Sequence, residues 1–242
     1  LPLILFSIFR FKTKLILRIS GKPNFNFFRL IIWKLCSKNI YKIFCPTEAT
    51  KEYLIKNKIF NKKKLFLIKD PVFYLKEIKK ENLEKITDKD FEEDNIILVG
   101  RITKQKNFSL IIDAINLDPK LYEGFKVFIF GEGELRSDLE KRIKSYNLEK
   151  KIYIKGYIRN IHKYLKKSKI FILTSLWEDP GFVLVEAAMN NLFIISSNCK
   201  NGPTEFLNHG DGGILFESNK KNALLKSLID FVILKNSKKY LS

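Results

Sequence analysis

The chain has 242 residues, 45% of them hydrophobic and 29% charged, with 21 Phe and 9 Tyr, which excludes a disordered or collagen-like chain and leaves material for one large or two modest domains. Forty-five Lys and Arg stand against 26 Asp and Glu, a formal charge of +19 that points to phosphate-bearing partners: nucleic acid, anionic lipid or a nucleotide. Only 7 of those cations are Arg, whose bidentate fork base-edge readers favour, so no specific nucleic-acid recognition is expected; a compositional bias toward Lys, Ile and Asn explains the excess as well.

Nine apolar residues, LPLILFSIF, open the chain ahead of Arg10 and Lys12. The run is too short to span a bilayer and lacks a basic leader or a cleavage site. A first residue Leu1 in place of Met leads us to expect a fragment lacking its true N-terminus. From there, short apolar β-branched runs predict strands over 15–19, 42–45, 65–68, 96–99, 126–130, 152–154, 170–173, 193–196 and 214–216. Helical patterns lie between them over 25–37, 47–57, 108–117, 134–146, 161–166, 181–190 and 222–234. Continuously apolar strands with helical crossovers mean parallel sheets covered on both faces, so the expected class is α/β. Residues 76–93 (KEIKKENLEKITDKDFEE) are densely charged and poor in large apolar side chains. They read as a linker or a solvated helix between two sheets, which predicts a first domain over 1–75 and a second over 94–242. Three cysteines, Cys36, Cys45 and Cys199, are too few for a disulfide framework or a zinc site and suit a reducing cytoplasm.

Five loops could carry chemistry, each at the carboxyl end of a predicted parallel strand, the edge where open α/β sheets hold ligands. After 96–99 come Gly100 and Arg101, then Lys106 and Asn107, with Asn107 expected to cap the next helix. Two cations there suit a diphosphate, although spacing alone leaves open that they are ordinary surface residues. After 170–173 comes Trp177-Glu178-Asp179-Pro180-Gly181-Phe182-Val183-Leu184-Val185-Glu186. Here Asp179 and Pro180 are expected as N-cap and first helical residue, with Glu178 ahead of the helix and Glu186 two turns inside it. Carboxylates so placed could share the hydroxyls of a polyol, or be plain surface acids. Gly131-Glu132-Gly133, Gly156 with Tyr157 and Ile158, and Asn201-Gly202-Pro203-Thr204-Glu205 mark the other three loops, the last expected to open a helix. None reaches the dinucleotide fingerprint. Asp88-Lys89-Asp90 has the acid-x-acid pattern of metal sites but lies in the charged segment rather than after a strand. His162 and His209 have no partner nearby and are expected on the surface or as caps.

Taken together, VGRITKQKNFSLIIDAI, VFIFGEGELRSDLEKRI, YIKGYIRNIHKYLKKSKIFILTSLWEDPGFVLVEAAMNNLFIISSNCKNGPTEFL and GDGGILF resemble, in order and spacing, the donor-binding half of retaining glycosyltransferases of the GT-B fold, the large family 4 group (glycosyl transferases group 1). The resemblance covers 96–216. The stretch LILRISGKPNFNFFRLIIWKLCSKNIYKIFCPTEAT is similar, less specifically, to the later part of the acceptor domain in members that build surface polysaccharides. The resemblance implies two Rossmann-like parallel-sheet domains, the N-terminal one incomplete. It implies a nucleotide-diphosphate sugar donor, a glycan or lipid-linked acceptor, and no metal or other cofactor. Carried over residue by residue, Arg101, Lys106 and Glu178 would be catalytic: the two cations on the departing diphosphate, Glu178 against the transferred hexose. Glu186 would take the ribose hydroxyls. Gly100, Gly131, Gly133, Gly181, Phe182 and Val183 would approach the donor, while Gly156, Tyr157 and Ile158 would frame its base. The sequence departs from the family at Asp179-Pro180 and at Val183, where a second glycine is usual, which puts the choice of sugar in doubt. The location implied is cytoplasmic, with peripheral contact to an anionic inner membrane face. Rival readings are a non-catalytic basic module for nucleic acid or anionic membrane, and a sugar-nucleotide 2-epimerase, which lacks the paired-glutamate loop.

Overall fold

The computed structural model describes residues 2–9, 11–21, 23, 26–69, 84–89, 91, 95–122, 125–178 and 180–236. The chain divides into two compact units, Leu1–Pro71 and Val72–Ser242.

In the first unit, helix α1 (Pro2–Phe9) precedes β1 (Leu15–Arg18), α2 (Phe27–Cys36), β2 (Ile40–Cys45), α3 (Glu48–Lys56) and β3 (Leu65–Leu67). The strands form a parallel sheet in the order β1-β2-β3. Side chains begin both internal helices. Asn26 Oδ1 accepts the Arg29 N–H at 2.8 Å and Thr47 Oγ1 the Thr50 N–H at 3.2 Å, satisfying donors that a helix end leaves open. Ile40, Ile43, Leu54, Ile59, Phe60 and Leu65 make the core. The expectation of strands buried on both faces fails at β1, which alternates half-buried and exposed positions because it lies at the sheet edge.

The second unit holds β4 (Asn95–Val99), α4 (Ser109–Leu117), β5 (Lys126–Phe130), α5 (Arg136–Ser145), β6 (Ile152–Gly156), α6 (His162–Lys167), β7 (Ile170–Leu173), α7 (Val183–Met189), β8 (Phe193–Ser197), α8 (Pro203–Phe206), β9 (Ile214–Phe216) and α9 (Lys221–Asn236). All its strands pair in parallel, in the order β6-β5-β4-β7-β8-β9. This is the doubly wound order, and its direction reverses between β4 and β7. The two-residue period of a strand sends Ile96, Leu98, Val127 and Ile129 into one core under α4, α5 and α9, and Ile97, Phe128 and Phe130 into the other under α6 and α7. The α/β class with parallel sheets holds throughout, and all nine expected strands are present. Among the described residues no helix is long and apolar enough to cross a membrane.

Part of the charged segment is packed against the second unit. Phe91 sits between the rings of Phe128 and Tyr164 (4.8 and 4.9 Å), and Asp88 Oδ2 pairs with Lys155 Nζ at 2.8 Å. Asp90 and residues 76–83 lie outside the described residues.

Three local expectations need correction. Asn107 does not cap α4: its φ of +50° is left-handed, and the capping position falls to Phe108, which makes no side-chain cap. The helix expected over 181–190 starts at Val183, because Gly181 takes φ +87°, which a right-handed helix cannot include. Pro180 therefore lies in the loop, and Asp179 is outside the described residues. His162 is buried rather than on the surface, with its Nδ1 3.3 Å from Asn190 Nδ2.

Candidate functional site

The reversal of strand order brings the loops after β4 and β7 together at the carboxyl edge of the sheet, although they are about seventy residues apart in the chain. Three hydrogen bonds stitch them. Thr174 Oγ1 donates to the Lys106 carbonyl (2.7 Å), the Leu176 N–H to the Gln105 carbonyl (2.8 Å), and Gln105 Nε2 to the Trp177 carbonyl (2.9 Å). Across this seam Lys106 Nζ meets Glu178 Oε1 at 2.6 Å, with side chains only 15% and 5% exposed. The same oxygen accepts the Ser175 hydroxyl at 2.5 Å. A charged pair this buried is sustained by short, charge-assisted hydrogen bonds.

Backbone close to the pair explains several of the glycines. The stem of Lys106 lies over Gly100, where an added Cβ would stand 3.0 Å from Cε, and a Cβ on Gly181 would stand 3.2 Å from Glu178 Cγ. Gly131 and Gly133 answer to the neighbouring loop: a Cβ would lie 1.8 Å from the Gly100 carbonyl oxygen and 2.2 Å from that of Ile102. A Cβ on Gly156 would meet Glu132 Oε1, itself paired with Arg136.

The second carboxylate, Glu186, is half-buried on α7. Burial holds its carboxyl above the ordinary carboxylate range, and the positive charge of Lys106 opposes that rise. Lys106 thus sits within electrostatic reach of both glutamates. The other cation is placed differently, since Arg101 is exposed and has no side-chain partner among the described residues. Tyr157 stands 76% exposed and Phe182 36%, whereas Ile158 and Val183 pack against the core. The edge therefore combines a buried, neutralised pair with a solvent-facing guanidinium and two open aromatic rings.

One contributor was not singled out in the sequence, and a second lies in a loop that was. Ser175 lies three residues before Glu178, and a serine ending a buried strand was the available signal. Gly202, in the loop after β8, has φ +138° and leaves no room for a side chain: a Cβ there would stand 1.9 Å from the Pro180 carbonyl oxygen. It supports the Glu178 loop from behind.

Residues 79–242, more than half of the chain, match the family described as glycosyl transferases group 1. The chain belongs to that family. Among its group 1 relatives is an uncharacterized glycosyltransferase of Methanocaldococcus jannaschii, 35% identical over 134 residues, which is 55% of this chain and 33% of the relative. A Campylobacter jejuni N-acetylgalactosaminyltransferase, named for an N-acetylgalactosamine-N,N'-diacetylbacillosaminyl-diphospho-undecaprenol acceptor, is 28% identical over 90% of this chain and 60% of its own length. The chain thus spans less than two thirds of these relatives. Among solved structures, Anabaena HepE in complex with UDP superposes with a TM-score of 0.79 at 16% identity, covering 98% of this chain and 66% of that one. Staphylococcus aureus TarM gives 0.72 at 23% identity, covering 91% and 43%. These likenesses establish the GT-B fold of the group 1 chain.

Proposed function

We propose that the second unit is the donor half of a retaining, family 4 glycosyltransferase that moves a hexose from a nucleotide-diphosphate sugar to a glycan or lipid-linked acceptor in surface polysaccharide biosynthesis. On this reading residues 1–75 belong to the acceptor side and 94–242 to the donor side. The observation that carries it is the Lys106–Glu178 contact at the point where the strand order reverses. One buried unit there joins a cation for the departing diphosphate to a carboxylate for the sugar hydroxyls. In the transfer the bond from the anomeric carbon to the diphosphate oxygen breaks while the acceptor oxygen bonds on the same face. The acceptor proton passes to the departing phosphate. Negative charge grows on that phosphate, where Lys106 and the exposed Arg101 act with most effect and without a metal. Glu186, with its raised carboxyl, is suited to the ribose hydroxyls, and the loop Gly156-Tyr157-Ile158 to the base.

Titration of the chain with UDP and UDP-sugars by calorimetry tests the donor site. Saturable binding that survives EDTA and is lost in Lys106→Ala is expected; a wild-type chain that binds RNA but no nucleotide returns the basic-module reading. A product of inverted anomeric configuration from the enzyme with its acceptor part would overturn retention.

We also propose that the first unit meets an anionic membrane surface carrying the acceptor. Residues 1–47 contain no Asp or Glu, and Phe9, Phe11, Phe27 and Phe28 are each more than half exposed. Each cation near anionic lipid contributes about 1 kcal/mol. Co-sedimentation with phosphatidylglycerol vesicles but not phosphatidylcholine vesicles is expected, and equal recovery with both would remove the idea.

A further inference from the structure

We infer that Ser175 is a positioning residue for Glu178, setting the direction of its carboxylate and thereby the affinity for the sugar part of the donor; this rests on the donor-site reading above. The carboxylate of Glu178 receives two donors on one oxygen, Lys106 Nζ at 2.6 Å and Ser175 Oγ at 2.5 Å. They differ in what they can fix. An ammonium on a four-carbon stem is a near-spherical charge that follows the carboxylate wherever it turns, whereas a hydroxyl on a short side chain imposes a direction.

That hydroxyl is rooted in rigid structure. Ser175 is 0% exposed, and its carbonyl accepts the Ser197 hydroxyl from the end of β8 at 2.7 Å and the Ser218 hydroxyl from the loop after β9 at 3.3 Å. Two further elements of the sheet therefore hold the residue that aims the carboxylate. With Oε1 committed, Oε2 has no hydrogen-bond partner among the described residues, in a side chain that is 5% exposed. It is the oxygen left to accept from a sugar hydroxyl. Without the serine hydroxyl, Lys106 still neutralises Glu178, so charge and nucleotide affinity stay, but the carboxylate is free to turn.

The test is calorimetric titration of the full chain with UDP and with whichever of UDP-glucose, UDP-galactose, UDP-N-acetylglucosamine and UDP-N-acetylgalactosamine the wild type binds tightest. Ser175→Ala is expected to change the UDP dissociation constant by less than twofold and to weaken the UDP-sugar at least tenfold. In a Glu178→Gln background the same substitution is expected to add nothing, because the carboxylate it would aim is gone. Ser175→Cys, nearly the same size with a weak donor, gives the same differential test if the alanine variant does not fold. Equal weakening of UDP and UDP-sugar, or of neither, overturns the role of Ser175 while leaving the donor site standing. A wild-type chain that binds neither ligand overturns the donor reading and this inference with it.

Discussion

The two units handle charge in opposite ways. Residues 1–71 carry sixteen Lys and Arg against three acids, so most of that charge has no carboxylate to meet; residues 72–242 carry twenty-nine against twenty-three. In the second unit one cation is largely enclosed and bonded: Lys106 lies in the seam between two loops with the buried Glu178. In the first unit Lys14 and Lys42 lie over the ring of Tyr41, and Lys42 also over that of Phe66. Excess charge on a surface is a diffuse, salt-sensitive property, whereas one buried pair is a local, directional one, and net charge does not distinguish them.

The largest expected effect comes from breaking the pair. Lys106→Ala leaves Glu178 buried without its counter-ion, and a loss of about 3–5 kcal/mol in urea unfolding is expected. The double variant Lys106→Ala/Glu178→Gln should recover most of that stability and none of the nucleotide affinity, which separates the structural from the ligand-binding role of Lys106. A single variant as stable as the wild type would mean that the pair is solvated and the contrast between the units is overdrawn.

Arg101 sharpens the contrast from the other side. With its side chain exposed and without a partner among the described residues, it can be replaced at a stability change within about 0.5 kcal/mol. On the proposed donor reading, Arg101→Ala should nevertheless lower transferase turnover by orders of magnitude, since the guanidinium would act on charge that develops only during reaction. An unchanged turnover number would remove Arg101 from the mechanism.

Salt separates the two units directly. Raising ionic strength to about 1 M shrinks the screening length to about 3 Å, which should abolish vesicle binding by the first unit while nucleotide affinity in the second falls far less. Parallel loss of both would place donor binding among surface effects.

The smallest effect concerns Glu186. Its folded carboxyl titrates above the unfolded one, so the folded state holds the proton more tightly. The contribution of Glu186 to stability is then fully present below its unfolded carboxylate range and is lost as pH rises through the raised value. Glu186→Gln should flatten that decline and slightly raise the melting temperature at pH 7, while weakening nucleotide binding. A pH profile identical to the wild type would show that burial does not perturb this group.

Much of this arrangement was legible in the residues. The nine strands were readable because a strand buried on both faces is a short unbroken apolar run, and Ile96–Leu98 or Ile170–Leu173 resemble nothing else. The site loops were readable because glycine, proline and charge collect at strand ends. What stayed hidden was contact across the sheet. Nothing in the order of residues says that Lys106 bonds Glu178 rather than pointing to solvent, since that depends on β4 and β7 being neighbours; the Ser175–Glu178 contact spans only three residues, and a serine shortly after a buried strand was its one signal. Local backbone was the other blind spot. Asn107 looks like a helix cap and is instead a left-handed turn residue, and Gly181 ends the loop rather than beginning the helix.

The tight approach of Gly202 to Pro180 bears on any attempt to redesign this enzyme class by exchanging loops. A segment spanning 177–182 taken from a relative would land against backbone supplied by a different crossover. The graft would then sit at the wrong height unless 200–203 were transplanted with it. The practical unit of exchange is therefore a pair of loops separated by a strand and a helix.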